Sequence, residues 1–372
     1  MYEHLNLRAW PFQTVPDAEF AKIWAGRHQT KEQLDRLVTK MALSPKSSLR
    51  LLWANFGMGK THTLLHLQHL CRQSKGRLVP VYAVMPNRPG GFLDVYRSVV
   101  SGLPFDFLGD QLIKVGSSGG GSVAQHPMFA KSPGVVNALL AIRSGDLERS
   151  IVAQQWLIAQ PGLSSGDMRR VGVTYRIKTP EDSINALTAL ARLATFKPGQ
   201  SSKLVVLLDE YQRIGELKPA IRNEINAGLH AFFNANPQGL EYLLSFSFGR
   251  QENVAYLLSN ELKSRAEPDV VNLDVLTKNE AIEFLLELLA QCRLRSDDRS
   301  AYPFASEALP VLVGSIADNK ALTPRRIMNY ANFVLQESLS NALDGQVGEI
   351  TAVQTALLLN NPQLGSFDLD EQ

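Results

Sequence analysis

Glycine, lysine and threonine follow one apolar segment near the start of the chain, in a pattern typical of phosphate binding. Residues 49–52 lead into Trp53-Ala54-Asn55-Phe56-Gly57-Met58-Gly59-Lys60-Thr61. Glycines let backbone N–H groups curl around an anion, the lysine ammonium reaches the β- and γ-phosphates, and the threonine hydroxyl binds Mg²⁺. A helix predicted over residues 61–71 begins here, and its dipole adds to the positive field. The nucleotide-binding residues predicted by this pattern are Asn55, Phe56, Gly57, Met58, Gly59, Lys60, Thr61 and His62.

One position of this phosphate loop (residues 54–61) departs from the usual G-x-x-x-x-G-K-[ST] pattern. Ala54 stands where the first glycine is expected. Alanine accepts an extended or right-handed backbone, so we expect the loop to form unless position 54 requires a positive φ. The alternative is an incidental glycine-rich turn that binds nothing.

A second chemical group follows a later apolar segment. Residues 202–208 are rich in Leu and Val and end in Asp209 and Glu210. Such runs are typical of fully buried parallel strands, and open α/β sheets bind ligands at the carboxyl ends of their strands. We therefore expect Asp209, with Thr61, to hold Mg²⁺ and Glu210 to polarise the attacking water. The alternative is a pair of carboxylates that merely ends a strand.

Composition narrows the class of protein. The chain has 372 residues and a net charge of +2, so any nucleic-acid surface must be a local patch. The best basic group is Arg169, Arg170, Arg176 and Lys178, which is equally consistent with a solvated segment. No signal peptide and no apolar run long enough to cross a bilayer is visible, so we expect a cytoplasmic protein without a membrane partner. The two cysteines, Cys71 and Cys292, lie in apolar helical patterns and are expected to be reduced.

The order of predicted elements gives the fold class. Strands alternate with helices through most of the chain, which predicts an α/β fold with a doubly wound parallel sheet. We divide the chain into an N-terminal segment and helix (1–45), a core (46–273), a helical lid (274–345) and a final helix with an acidic tail (346–372). The core carries an insertion at about 103–178, with a flexible tip at residues 116–122 and a poorly patterned helical stretch near residues 134–159.

The lid contains an electrostatic anomaly. Arg325 and Arg326 follow Pro324 in the first turn of a predicted helix, where positive charge opposes the helix dipole. An arrangement that is locally unfavourable indicates that an anion binds there.

In this order the parts resemble the AAA+ ATPases over about residues 45–345. They are a phosphate loop, an Asp-Glu strand, a polar residue on the next strand, an arginine before the last strand and a lid with Pro324-Arg325. The chain is most similar to the initiator-related and transposition-type branch. That branch includes origin-recognition ATPases, ExeA/TniB-like ATPases and the ATP-binding subunits of phage-defence systems. Pro11-Phe12 near the N-terminus and Pro-Arg-Arg in the lid fit this branch.

This resemblance implies sensors for the γ-phosphate. Ser247 matches the first sensor, between the phosphate loop and Asp209, and Ser245 is its rival because alternate residues share a strand face. Arg325 matches the lid arginine that contacts the γ-phosphate of its own subunit, with Arg326 as its exposed neighbour.

The resemblance also implies residues that act between subunits or regulate hydrolysis. Arg265 matches the finger that reaches the nucleotide of a neighbouring subunit, and Arg250 is a second candidate. Asn87 matches a polar residue that can hold Glu210 inactive, although Asn before Arg88-Pro89 equally suits a turn.

The expected activity is Mg²⁺-dependent ATP hydrolysis, with ATP and Mg²⁺ as cofactors. In one hypothesis the chain forms an ATP-dependent homo-oligomer that acts on or with DNA. It would recruit or license a partner enzyme such as a transposase, a nuclease or a replication factor. In the other hypothesis it is a nucleotide-dependent switch or a protein-remodelling subunit of a larger complex without DNA contact.

Overall fold

The computed structural model describes residues 2–119, 122–196, 202–247, 256–268, 271–296, 299–318, 320–340 and 348–361. The chain divides into two compact units. The loop unit comprises Met1–Asp35, Ala54–His69 and Asn272–Gln372, and includes the phosphate loop. The sheet unit comprises Arg36–Trp53 and Leu70–Val271, and includes Asp209 and Glu210.

A five-stranded sheet confirms the predicted α/β class. Its strands are β1 (Ser48–Ala54), β2 (Leu78–Val84), β3 (Lys203–Asp209), β4 (Leu240–Ser247) and β5 (Val271–Leu273), in the order β2-β3-β4-β1-β5. The strands β2, β3 and β4 run parallel, and Val84 pairs with Asp209 at their carboxyl ends. Every residue of β3 and β4 is buried, as their apolar sequences predict. The crossover order places β4 between β1 and β3.

Helices flank this sheet along the chain. The segment from residue 28 to residue 263 contains α1 (His28–Leu43), α2 (Lys60–Arg72), α3 (Phe92–Ser101), α4 (Phe105–Gly119), α5 (Gly134–Ile142), α6 (Leu147–Leu157), α7 (Ser165–Arg170), α8 (Pro180–Ala194), α9 (Pro219–Ala235) and α10 (Asn260–Lys263). Helix α8 begins with Thr179 as N-cap in a capping box and with proline at the first helical position.

The insertion is more regular than its sequence predicts. The helical stretch expected near residues 134–159 forms two helices, α5 and α6, because Gly145 takes φ +77° and Asp146 caps a new helix. The flexible tip expected at residues 116–122 is wrong at its start, since α4 continues through Gly119. Residues 120–121 lie outside the described part of the chain.

Three charged side chains are buried together inside the sheet. Glu241 on β4 is fully buried, and its Oε1 accepts a hydrogen bond from Arg50 Nε at 2.8 Å. Its Oε2 accepts from Lys203 Nζ at 3.1 Å and from Ser48 Oγ at 2.6 Å. Both oxygens of the carboxylate are therefore satisfied, which such complete burial of a charge requires.

The loop unit has a helical core of its own. Its helices are α11 (Lys278–Cys292), α12 (Ala308–Ala317), α13 (Pro324–Ser340) and α14 (Ala352–Leu359). A capping box of Thr277 and Glu280 opens α11. Leu5, Leu7 and Phe12 of the N-terminal segment share one hydrophobic cluster with these helices. Within the described residues, no helix has both the length and the hydropathy needed to cross a bilayer.

Cys71 and Cys292 are buried and unbridged, as their patterns predict. Burial raises the pKa of the Cys292 thiol to about 11, and burial also raises the pKa of Cys71. Both thiols are therefore protonated and unreactive at neutral pH.

Candidate functional site

The backbone of the phosphate loop takes the shape that its glycines predict. Gly57 and Gly59 have φ values of +74° and +88°, in the left-handed region that favours glycine. Ala54 is the last residue of β1, fully buried and without a positive φ. The condition under which alanine would fit at position 54 is therefore met.

Three carbonyl groups of the phosphate loop accept hydrogen bonds from protein donors, and these bonds orient the peptide groups of the loop. Gly57 O accepts from the backbone N–H of Arg325 at 3.2 Å, Met58 O from Arg27 Nη1 at 2.7 Å, and Gly59 O from the backbone N–H of Thr63 at 2.8 Å. In the described part of the chain, the N–H groups of Gly57, Met58 and Gly59 donate to no protein acceptor. Consecutive N–H groups in this state form a nest suited to an anion.

Lys60 and Thr61 follow the nest at the start of α2. Lys60 is 6% exposed, and its Nζ donates to Asn55 O at 2.8 Å while lying 5.6 Å from the centre of the Phe56 ring. A phosphate could replace the Asn55 carbonyl as the acceptor of the Lys60 ammonium. That ammonium is already desolvated and points along the loop.

The side chain of His62 belongs to an aromatic cluster. Its ring centre lies 5.8 Å from that of Trp24 and 6.1 Å from that of Phe20. Burial, with a smaller contribution from the charge of His66, lowers the pKa of His62 to about 4. The imidazole of His62 is therefore neutral and packed among aromatic rings. The group of His62 that suits a phosphate is its backbone N–H.

The lid arginine is held at the phosphate loop by its own backbone. Arg325 is the second residue of α13, and its N–H reaches Gly57 as described above. Its side chain is exposed, and among the described residues its guanidinium makes no recorded hydrogen bond or ion pair. Arg326 instead donates from Nη1 to Ala321 O at 2.7 Å. The loop unit therefore brings Arg325, and not Arg326, to the loop with its charge available.

In the sheet unit, Asp209 is fixed by three donors. Its Oδ1 accepts from the backbone N–H of Glu210 at 2.9 Å and, through a short hydrogen bond, from Ser245 Oγ. Its Oδ2 accepts from Tyr82 OH at 3.1 Å. The sequence reasoning missed Tyr82, whose position on β2 becomes informative only once β2 is known to pair with β3.

Glu210 is held by two residues that follow it in the chain. Its backbone is left-handed, with φ +60°. Its Oε2 accepts from Gln212 Nε2 at 2.7 Å and lies 3.7 Å from Arg213 Nε. Gln212 Oε1 in turn accepts from the backbone N–H of Ser247 at 3.0 Å. The amide of Gln212 thus connects the end of β4 to the carboxylate of Glu210.

The two serines of β4 have different environments. Ser245 donates to Asp209, which makes it a positioning residue for that carboxylate. Ser247 is 3% exposed, and its Oγ has no hydrogen-bond partner among the described residues. A buried hydroxyl without a partner is costly unless a ligand or water satisfies it.

Among the described residues, neither Arg265 nor Asn87 has a recorded hydrogen bond to these groups. Arg265 is exposed, with Nη2 3.4 Å from Asn234 Oδ1 and the guanidinium 6.0 Å from the centre of the Phe233 ring. Arg250 lies outside the described residues. Asn87 is exposed and has no recorded side-chain hydrogen bond, and the partners of Glu210 are Gln212 and Arg213 instead.

Each unit carries groups with a defined chemistry. In the loop unit, the nest, Lys60 and Arg325 supply N–H groups and positive charge suited to phosphates, and Thr61 supplies a hydroxyl oxygen. In the sheet unit, Asp209 supplies a carboxylate oxygen of the kind that Mg²⁺ prefers.

Comparison with solved structures identifies the fold. The Orc1 protein of Aeropyrum pernix in complex with DNA is similar with a TM-score of 0.52 and 11% identity, covering 95% of this chain and 69% of that one. The ADP form of the Orc2 protein of the same organism gives a TM-score of 0.53 and 12% identity, covering 96% and 72%. No family model and no curated protein matches the sequence. The chain therefore shares the fold of these two Orc proteins, which confirms the predicted resemblance at the level of fold.

Proposed function

From this AAA+ fold, we propose that the chain is a Mg²⁺-dependent ATPase that assembles through ATP bound at subunit interfaces. The observation that carries the proposal is the phosphate loop. Its carbonyls are satisfied by protein, while the N–H groups of Gly57, Met58 and Gly59 are left for an anion. Asp209 and Glu210 at the end of a buried parallel strand supply the second requirement, a metal ligand and a base.

Each residue has a role in this mechanism. The nest and Lys60 bind the β- and γ-phosphates, and Arg325 stabilises charge on the γ-phosphate. Glu210 accepts a proton from the water that attacks the γ-phosphorus while the bond to the leaving ADP oxygen breaks. Thr61 and Asp209 are the residues that would hold Mg²⁺, and the ion would supply neutralisation of charge on the phosphate oxygens.

We extend the proposal to assembly and partners. Arg265, exposed and poorly anchored, would complete the site of a neighbouring subunit, so that turnover depends on oligomerisation. The assembled form would act on or with DNA and recruit a partner enzyme, and the Orc1 structure described above contains DNA. A nucleotide-dependent switch without DNA contact is the alternative that the experiments must exclude.

The first experiment tests nucleotide chemistry. Lys60→Ala is expected to abolish ATP binding, whereas Glu210→Gln is expected to bind ATP and lose hydrolysis. Glu216→Gln is the matched control, because Glu216 is an exposed carboxylate in the segment after β3. ATP binding would be measured by titration calorimetry and hydrolysis by phosphate release. Equal hydrolysis by the Glu210 variant and the parent would contradict the mechanism.

The second experiment separates the two functional hypotheses. Light scattering would give the molar mass of the Glu210→Gln variant without nucleotide, with ATP and Mg²⁺, and then with duplex DNA. Growth with ATP that DNA reinforces supports the DNA-dependent assembly. A chain that binds ATP but stays monomeric under every condition favours the switch.

A further inference from the structure

Arg27 contacts the phosphate loop from the side opposite to the nest. It precedes α1 with a left-handed backbone, φ +47°. Its Nη1 donates to Met58 O at 2.7 Å and its Nη2 to Asp274 O at 2.5 Å. Both acceptors are neutral carbonyls, so the hydrogen bonds of the guanidinium are directed at peptide groups, while the carboxylates of Asp274 and Glu280 interact with its charge electrostatically.

The Met58 carbonyl and the Gly59 N–H belong to one peptide group. A cation that binds the carbonyl end polarises that group and strengthens its N–H as a donor. The preceding peptide is held in the same way, since its Gly57 carbonyl accepts from the Arg325 N–H and its own N–H belongs to Met58. Two successive peptides are thus fixed by protein donors, and within the described residues their N–H groups have no protein acceptor.

We propose that Arg27 is a positioning residue of the phosphate loop, which holds the Met58–Gly59 peptide in its anion-binding orientation and supplies positive charge through it. The inference rests on the proposed nucleotide binding and concerns the phosphates that ADP and ATP share. Loop N–H groups cradle the inner phosphates, whereas Arg325 is assigned to the γ-phosphate. Loss of Arg27 therefore weakens ADP and ATP equally, and loss of Arg325 weakens ATP more than ADP.

The test measures dissociation constants of ADP and ATP with Mg²⁺ in the Glu210→Gln background, which prevents turnover. Arg27→Met keeps the length of the side chain without charge or donors, and we expect about tenfold weaker binding of both nucleotides. Arg27→Lys keeps the charge and one donor, and should recover part of that loss. Arg325→Ala should change the ratio of the two constants.

Arg8→Met is the matched control. Arg8 also donates to a backbone carbonyl in the loop unit, from Nη2 to Gln291 O at 2.6 Å, but it has no recorded hydrogen bond to the phosphate loop. Thermal unfolding of each variant would identify any that fails to fold, and Arg27→Lys then serves as the working variant.

Three results would overturn the proposal: parental binding by Arg27→Met, a loss confined to ATP, or an equal loss in Arg8→Met. Failure of the proposed function looks different, because the Glu210→Gln protein with Arg27 intact would then bind neither nucleotide, or would bind them as well after Lys60→Ala.

Discussion

Gln212→Met should slow hydrolysis without weakening ATP binding. The substitution keeps the length of the side chain but removes both hydrogen bonds of its amide. These are the bond from Nε2 to Glu210 Oε2 at 2.7 Å and the bond that Oε1 accepts from the Ser247 N–H at 3.0 Å. The bond to the charged carboxylate is worth about 1.5–3 kcal/mol. Once it is released, the Glu210 side chain must be ordered again to reach the transition state. Only this cost, roughly 1–2 kcal/mol, is added to the activation free energy of hydrolysis. That cost corresponds to a fall in kcat of about five- to thirtyfold.

The assay is steady-state phosphate release, with the dissociation constant of ATP measured separately. Because Gln212 acts through Glu210, its effect should vanish in the Glu210→Gln background, as a double-mutant cycle would show. Lowered affinity for ATP, or an equal fold loss in both backgrounds, would refute the coupling between Gln212 and Glu210 and indicate a general disturbance of β4.

Three further predictions follow from separate parts of the molecule. Arg265→Ala should bind ATP as the parent does but lose its assembly-dependent turnover by about 10³-fold; a rate unchanged at high protein concentration would exclude the finger. Glu241→Ala leaves Arg50 and Lys203 buried without their carboxylate, and should lower the free energy of unfolding in urea by about 3–5 kcal/mol. A loss below about 1 kcal/mol would show that water reaches Arg50 and Lys203. His62 has a folded-state pKa near 4 against 6.5 in the unfolded chain, so as the pH falls from 6.5 towards 4 only the unfolded state gains a proton. The free energy of unfolding should drop by up to about 3 kcal/mol over this range. If a His62→Gln variant kept the same dependence on pH, another titrating group would be its cause.

The residues that could be predicted are those whose role depends on local sequence. Gly57, Gly59 and Lys60 follow a buried strand within a few residues, so the loop and the helix after it could be read directly. Asp209 and Glu210 end a fully apolar run, which indicated both burial and position at a carboxyl edge. The helix caps at Thr179 and Thr277 depend on local sequence in the same way.

The residues that were missed act through contacts distant in sequence. Arg27 meets Met58 across 31 positions, and Tyr82 meets Asp209 across 127. No spacing rule connects such pairs until the strand order and the packing are known. Gln212 is close to Glu210 in sequence, but its second contact is with Ser247. That contact, which connects β4 to Glu210, could not be predicted from the sequence.

Arg27 and Glu210 carry their charged groups on strained backbone. In the described chain, the non-glycine residues with positive φ are Asn6, Arg27, Lys75, Ala159 and Glu210. Asparagine tolerates this region, and such a conformation otherwise costs on the order of 1–3 kcal/mol. Glycine at either Arg27 or Glu210 would relieve the strain but remove the guanidinium or the carboxylate. The side-chain bonds of Arg27 to Met58 and of Glu210 to Gln212 offset the strain and at the same time fix those groups in direction. Strain and function therefore coincide at these two positions because the backbone conformation is what aims each charged group.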